Sequence, residues 1–453
     1  MTHWASDTIF YHIYPLGACG APKRNDFTRP PEPRLEGLYG WLDHWQTLGV
    51  NALYLGPLFE SSAHGYDTAD YYAVDRRLGT NGTLAQFSRA LHACDIRLVL
   101  DGVFNHVGRD FWAFRDVQER GSASPYCEWF TGLRFEGRSP YGDPFVYEAW
   151  NGHYELVRLN VSHPGVREHL FEAVRRWVEE FALDGLRLDV ADCLDLDFQR
   201  ALAAFCRGLR SDFWLMGEVI HGDYRRWVNP THLDSVTNYE CYKGLYSSLN
   251  DQNYFEIAYA LNRQFGAEGL YRDLPLYAFA DNHDVNRVAS ALHKPAHLYP
   301  LYALLFTMPG APSVYYGSEW GLTGQRNDHS DAALRPALDA AAARSSSHRD
   351  LAQAITRLAH IRRESPALRH GNYQPLHVSA EQFAFMRAAA QERVVVALNA
   401  ADTPATLELP LAEADGARLV DVLNPGEVFP VYQGRVQLAP LYPNWARILV
   451  VQV

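Results

Sequence analysis

Strand-like and helix-like segments alternate along roughly the first 365 residues of this 453-residue chain, and this alternation limits the possible folds most strongly. Such alternation is typical of a parallel sheet whose strands are connected by helices. Continuous apolar runs, typical of strands buried on both faces, occur in several of the predicted strands. The eight predicted strands span residues 8–14, 51–55, 96–101, 186–190, 213–218, 235–239, 276–280 and 313–316. Eight strand–helix units predict a closed (β/α)8 barrel, the TIM barrel.

The spacing of polar residues at the strand ends predicts an insertion. One barrel unit averages about 31 residues. Asp189 and Glu218 are 29 residues apart, whereas Asp101 and Asp189 are 88 residues apart. Turn residues and alternating β segments replace the helical pattern near the C-terminus, which predicts an antiparallel β-sandwich. The predicted domains are the barrel at 1–105 and 161–365, an inserted domain at 106–160 and the C-terminal sandwich at 366–453.

Composition excludes several classes of partner. The formal net charge is −12 and no basic run occurs, so we expect no nucleic-acid partner. No stretch has the length or apolarity of a membrane span or a signal peptide, so we expect no membrane partner. The six cysteines are scattered without CxxC spacing, which favours free thiols in the cytoplasm. The oligomeric state stays open.

Three carboxylates are predicted to meet at one mouth of the barrel, because active-site groups of this fold lie at the C-terminal ends of strands. Asp189, Glu218 and Asp284 end the fourth, fifth and seventh strands, and Arg187 lies two residues before Asp189. Such a cluster suits glycoside cleavage, in which one carboxylate attacks the sugar carbon and another protonates the leaving oxygen. A divalent-metal site is the alternative, although Arg187 would place a fixed positive charge among the ligands and the ends of the barrel strands lack HxH or HxxE spacing.

Four short segments resemble the signature regions of the α-amylase superfamily of glycoside hydrolases. They are DGVFNH at 101–106, GLRLD at 185–189, GEV at 217–219 and NHD at 282–284, in the order and spacing of that family. The segments at 49–57, 64–67 and 315–319 add to the likeness. The resemblance covers essentially the whole chain and implies the same barrel, inserted domain and C-terminal sandwich.

The resemblance also implies roles for individual residues. Asp189 would be the nucleophile, Glu218 the general acid/base and Asp284 the stabiliser of the transition state, while Tyr66 would stack against the attacked sugar. The other residues expected to bind substrate are His64, Asp67, His106, Arg187, His283 and Arg287. The residues expected to support the site are Asp101, Asn105 and His221.

Within the superfamily, Val190 and the segments 157–160 and 217–221 resemble the cyclomaltodextrinase and neopullulanase branch. Those enzymes cleave small α-glucans, mostly at α-1,4 links and in some cases at α-1,6 links. The N-terminal domain typical of that branch has no counterpart before the predicted first strand. Arg158 stands where many calcium-binding amylases have an acidic residue, so we expect no calcium site and no cofactor, although Asn105 is present.

Three alternatives stay open at this stage. Asp67 and Arg287 follow strands two and seven, and a pair between them would close the cleft and restrict the enzyme to chain ends. Transfer to a second sugar uses the same covalent intermediate as hydrolysis. A non-catalytic sugar-binding relative is the remote alternative, because such relatives usually lack one of the three carboxylates.

Overall fold

A computed structural model describes residues 3–327, 330–339 and 349–452. Its centre is a closed barrel of eight parallel strands, as predicted. In chain order they are β1 Phe10–Ile13, β2 Ala52–Leu55, β3 Arg97–Gly102, β4 Gly185–Leu188, β5 Trp214–Gly217, β6 Ser235–Val236, β7 Tyr277–Phe279 and β8 Ala311–Tyr315. The hydrogen-bonded order is β6-β5-β4-β3-β2-β1-β8-β7, and a parallel bridge between Thr237 and Tyr277 closes the ring.

Helices surround the barrel and cover its strands. In Pro164–Phe181 the side chains of Val166, Leu170, Val174 and Trp177 recur at helical spacing and are buried. This helix begins with proline at its first turn, where the missing N–H is harmless. The α-helices are Pro15–Ala18, Leu42–Leu48, Asn81–Ala93, Trp112–Arg120, Pro164–Phe181, Leu196–Leu209, Tyr239–Asn250, Tyr254–Phe265, Val288–Ala291, Leu298–Thr307, Arg349–Glu364 and Pro366–His370.

A small subdomain leaves the barrel after β3 and returns before the helix Pro164–Phe181. Its antiparallel sheet has the order His106–Gly108, His153–Arg158, Ala149–Trp150. Edge-to-face contacts of Phe114 with other aromatic rings form its core. A separate hairpin after β2 pairs Phe59–Ser61 with Thr68–Val74. The predicted boundaries at 106 and 160 remain predictions.

The C-terminal region consists of two packed antiparallel sheets. The six-stranded sheet has the order Asn372–Val378, Gln382–Ala389, Glu392–Asn399, Trp445–Gln452, Arg418–Asp421, Val428–Pro430. The second sheet pairs Ala405–Pro410 with Arg435–Leu441. Leu407, Leu409 and Leu438 from the second sheet pack in one buried cluster with Val395 and Leu449 from the first. This arrangement is the predicted sandwich. In the parts of the chain described above, no helix combines the length and apolarity that crossing a membrane requires.

Candidate active site

A cleft of about 1510 Å³ lies over the C-terminal ends of the barrel strands. Asp189, Glu218 and Asp284 all line it, so the structure brings the three predicted carboxylates together. The inserted subdomain forms one wall with Trp150 and His153, and the loops after β1, β7 and β8 form the opposite wall. The cleft therefore extends to both sides of the carboxylates.

Arg187 joins three carboxylates at the floor of the cleft. Its Nη1 donates to Oδ1 of Asp101 and to Oδ1 of Asp189, both at 2.9 Å, and its Nη2 lies 2.8 Å from Oε1 of Glu218. The Arg187 side chain is only 4% exposed. Burial opposes the charge of this guanidinium, but Asp101 and Glu218 outweigh that effect and raise the pKa of Arg187 well above its ordinary value. Arg187 therefore keeps a fixed positive charge between the carboxylates.

Burial dominates the titration of Asp189 and Glu218. It raises the pKa of Asp189 well above its ordinary value, against the opposing charge of Arg187. Burial likewise raises the pKa of Glu218, and the negative charge of Asp284 adds to this rise. Because the negative charge of Glu218 also raises the pKa of Asp189, the two carboxyls titrate as a coupled pair.

Glu218 is held by the backbone next to Asp189. Its Oε2 accepts the N–H of Val190 at 3.0 Å. Val190 has the left-handed backbone angles φ 41° and ψ 49°, which are unfavourable for a β-branched residue. The turn after β4 thus directs one backbone donor at the carboxylate that ends β5.

Each oxygen of the Asp284 carboxylate contacts a nitrogen of a different side chain. Its Oδ2 lies 3.0 Å from Nε2 of His283, and its Oδ1 accepts from Nη2 of Arg335 at 2.8 Å. Burial alone would raise the pKa of Asp284, but His283, Arg335 and Arg187 outweigh it and lower the pKa below its ordinary range. Asp284 is therefore ionised at neutral pH.

Tyr66 and His106 complete the floor of the cleft. The Tyr66 hydroxyl donates to Oδ2 of Asp101 at 3.1 Å, and its ring stacks on His283 with centroids 5.5 Å apart. His106 Nε2 is 3.8 Å from Oδ2 of Asp189 and has no hydrogen-bond partner. Burial lowers the pKa of His106 to about 3, so this imidazole is neutral and its free nitrogen is available to a ligand hydroxyl.

Four other predicted residues have different surroundings. Asp67 shapes its own turn, since its Oδ1 accepts the N–H groups of His64 and Gly65 at 3.0 and 3.1 Å. His64 lines the cleft, whereas Asp67 does not. Asn105 is buried beside His106, with Nδ2 3.2 Å from Nδ1 of that ring. His221 is exposed and lies outside the lining of the cleft.

The surroundings of Arg287 exclude the pair with Asp67 that the sequence left open as an alternative. It is completely buried and donates to the carbonyl oxygens of Tyr316 and Leu334 at 2.5 and 2.8 Å. The short helix Val288–Ala291 begins at the next residue, and the Arg287 side chain runs behind β8 instead of into the cleft. The proposed closure of the cleft by Asp67 and Arg287 is therefore wrong.

Several lining residues were not predicted. Tyr14 directly follows β1, so the reasoning from strand ends could have found it. Trp150 belongs to an aromatic-rich insertion, but nothing in the pattern separates it from the core aromatics there. Ile220, at 45% exposure, presents an apolar surface on the β5 side. Arg335 follows no sequence pattern, because it lies in the irregular loop after β8.

Arg158, on which the expectation of no calcium site depends, pairs with an acidic side chain. Its Nη1 lies 3.2 Å from Oε2 of Glu148, and both side chains are about half exposed. Within residues 3–327, 330–339 and 349–452, no group of three or more His, Cys, Asp or Glu side chains could hold a metal ion.

Comparisons with known proteins agree with this geometry. Residues 32–357 match the model of the alpha amylase catalytic domain, and residues 373–445 match the maltogenic amylase C-terminal domain. The cyclomaltodextrinase of Geobacillus thermopakistaniensis is 30% identical over 451 residues, which cover 94% of this chain and 74% of that relative. Neopullulanase 2 of Thermoactinomyces vulgaris is 30% identical over 478 residues, covering 98% of this chain and 78% of that protein.

The match to one solved structure covers 99% of this chain and 99% of the other. That structure is the ligand-free cyclic α-maltosyl-(1→6)-maltose hydrolase from Arthrobacter globiformis, with 28% sequence identity and a TM-score of 0.81. Two observations lead to one conclusion. The family model matches most of the chain, and three carboxylates converge at the mouth of the barrel. The chain belongs to the α-amylase family of glycoside hydrolases and is an enzyme of the kind that hydrolyses α-glucans.

Proposed function

We propose that this enzyme hydrolyses α-1,4-glucosidic links, and some α-1,6 links, in maltooligosaccharides and cyclodextrins with retention of the anomeric configuration. The observation that carries this proposal is the buried Arg187, which contacts Asp189 and Glu218 on one side of a cleft while Asp284 faces them. These groups supply a nucleophile, a proton donor and a second anion for an oxocarbenium-like transition state.

In the first step, an Asp189 oxygen attacks the anomeric carbon and forms a glycosyl ester. Glu218 gives its proton to the glycosidic oxygen, which leaves as the hydroxyl of the departing sugar. In the second step, the ionised Glu218 takes a proton from water. The water oxygen attacks the anomeric carbon, and the Asp189 carboxylate leaves. Asp284, ionised throughout, stabilises the positive charge that develops on the sugar ring in both steps.

Electrostatics explains how Glu218 can act first as the acid and then as the base. Before the reaction, the negative charge of Asp284 favours the protonated form of Glu218. Arg187, 2.9 Å from Asp189, opposes the effect of burial on Asp189 and favours its ionised form, whose charge acts on Glu218 in the same direction. Formation of the ester removes the charge of Asp189, so the pKa of Glu218 falls and its carboxylate can accept a proton from water. The raised pKa of Glu218 in the free site agrees in direction with its role as the acid.

The extent of the cleft favours internal and cyclic substrates over strict action at chain ends. Its lining continues from Trp150 and His153 on the subdomain side to Lys23 and Arg326 on the opposite side. With Arg287 buried elsewhere, the pair that would block the cleft does not form. Exo-action and glycosyl transfer are the competing possibilities. We further propose that catalysis needs no metal. We also propose that the protein is cytoplasmic, because its six cysteines are free thiols, as is usual in a reducing compartment.

A product time course with maltotriose and β-cyclodextrin tests the proposal. We expect β-cyclodextrin to be opened at a rate comparable to maltotriose cleavage, with reducing sugar formed from both. Proton NMR of the first product should show the α-anomer before mutarotation. Release of the β-anomer would refute the retaining mechanism, and cleavage of maltotriose with intact β-cyclodextrin would favour exo-action.

A further inference from the structure

The guanidinium of Arg335 spans the wall of the cleft beside Asp284. Its Nη2 donates to Oδ1 of Asp284 at 2.8 Å, and its Nε donates to the backbone oxygen of His283 at 2.9 Å. The guanidinium carbon lies 4.7 Å from the ring centroid of Tyr14, in a cation–π contact. A second ion pair, at 3.3 Å, joins Nη2 to Asp331. Only 13% of the Arg335 side chain is exposed, so its position is well defined by contacts.

Hydrogen bonds fix the backbone on both sides of Arg335. The oxygen of Leu334 accepts Nη2 of the buried Arg287 at 2.8 Å and the hydroxyl of Tyr315 at 3.0 Å. The hydroxyl of Tyr316 donates to the oxygen of Pro336 at 2.8 Å. These donors come from Tyr315 and Tyr316 at the end of β8 and from Arg287, which precedes the helix Val288–Ala291. They hold the two residues that flank Arg335.

We propose that Arg335 is a positioning residue that fixes the Asp284 carboxylate for catalysis, and that Arg287 and Tyr315 hold Arg335 in place through the oxygen of Leu334. The proposal rests on the proposed function, because it assigns Asp284 its place in that mechanism. It also gives Arg287 a role different from the one expected of it: Arg287 acts on the site through the loop.

Geometry explains why Asp284 needs such a partner. The Asp284 side chain is 35% exposed, whereas those of Asp189 and Glu218 are each 8% exposed. His283 lies within 3.0 Å of one Asp284 oxygen, and a single contact leaves the carboxylate free to swing about it. The Arg335 contact on the other oxygen fixes the plane of the carboxylate. A carboxylate accepts about four hydrogen bonds, so lone pairs remain for sugar hydroxyls.

Removal of the guanidinium should therefore impair catalysis more than binding. We expect Arg335→Ala to lower kcat by about 10²-fold, the loss typical of a 1 Å misplacement of a reacting group, with KM changed by less than about threefold. Guanidinium ion at non-denaturing concentration should restore kcat at least about tenfold, because it can occupy the vacated site. Arg335→Lys should retain an intermediate kcat. Arg200→Ala is the matched control, since Arg200 is 57% exposed and pairs with Asp197 on the outer helix Leu196–Leu209.

Tyr315→Phe tests the link through Leu334 and removes one hydroxyl from a buried ring. We expect a loss of a few-fold in kcat in the wild-type background and no further loss in the Arg335→Ala background, because both changes act on one chain of contacts. Circular dichroism of each variant establishes that it is folded. An additive loss in the double variant, or no loss in Tyr315→Phe, would refute the link.

The outcomes separate this inference from the proposed function. If the wild-type enzyme releases no reducing sugar from any α-glucan, the proposed function fails. If the wild type is active and Arg335→Ala matches its kcat, the positioning role alone is wrong. A loss confined to KM would assign Arg335 to substrate binding, and a loss of kcat that guanidinium ion cannot restore would assign it to the fold. Both results would overturn the inference.

Discussion

Replacement of Arg187 by Met should destabilise the protein in a manner that depends on pH. The side chain is 4% exposed and contacts Asp101, Asp189 and Glu218 at 2.8–2.9 Å. Met has a similar volume but no charge, so three buried carboxyls would lose their common cation. Loss of one partner of a buried ion pair typically costs about 3–5 kcal/mol, a large part of a total stability of about 5–15 kcal/mol.

The dependence on pH follows from the direction of the pKa shifts. Burial already raises the pKa values of Asp189 and Glu218, and loss of the cation would raise them further. A carboxyl whose pKa is higher in the folded state binds more protons folded than unfolded. Its contribution to stability therefore falls as pH rises from the unfolded pKa, about 4, towards the folded value. The Arg187→Met variant should lose about 3–5 kcal/mol at pH 8 and clearly less at pH 5.

Urea unfolding monitored by tryptophan fluorescence at the two pH values measures this difference, with Arg200→Met as the exposed control. The control should change the free energy of unfolding by less than about 0.5 kcal/mol at either pH. An equal loss at pH 5 and pH 8 would show that packing, and not the uncompensated carboxylates, determines the effect. A loss below about 1 kcal/mol at pH 8 would refute the view that Arg187 neutralises the floor of the cleft.

Three further predictions concern chemistry. Asp189→Ala should abolish turnover and keep the circular dichroism spectrum of the wild type; full activity in a folded variant would contradict its role as nucleophile. Glu218→Gln should slow natural glycosides by about 10²–10⁴-fold and an activated aryl glycoside much less in the first step, because that leaving group needs no proton; equal losses would indicate another acid. Treatment with EDTA should leave the rate of maltotriose hydrolysis unchanged; a loss that calcium specifically restores would show that Arg158 does not replace a metal.

The barrel could be predicted because its strands are short apolar runs at unit spacing, a signal that depends only on local sequence. The boundary of β6 was less certain, since the prediction of 235–239 extends past the observed Ser235–Val236. Asn238 explains the difference: its side chain accepts the N–H of Cys241 and starts the helix Tyr239–Asn250. Strand propensity in this segment is overridden by a helix cap.

The carboxylates of the site could also be predicted, since each ends a barrel strand. The positions of side chains on loops could not be predicted, because their direction depends on tertiary contacts. Arg287 follows Asp284 by three residues, yet buried carbonyl oxygens of Tyr316 and Leu334 draw it behind β8. Arg335 reaches Asp284 from a loop without periodicity. The sequence contains both arginines but not the tertiary contacts that bury Arg287 and bring Arg335 to Asp284.

Trapping of the glycosyl–enzyme intermediate tests most directly whether Asp189 is the nucleophile of a retaining hydrolase. In Glu218→Gln, an α-maltosyl fluoride should still react, because fluoride leaves without a proton, and the ester should accumulate, because no base activates water. Peptide mass spectrometry should then locate a maltosyl group on Asp189, and the additional change Asp189→Asn should abolish the label. Fluoride release without any labelled peptide, or a label on another carboxylate, would contradict the mechanism.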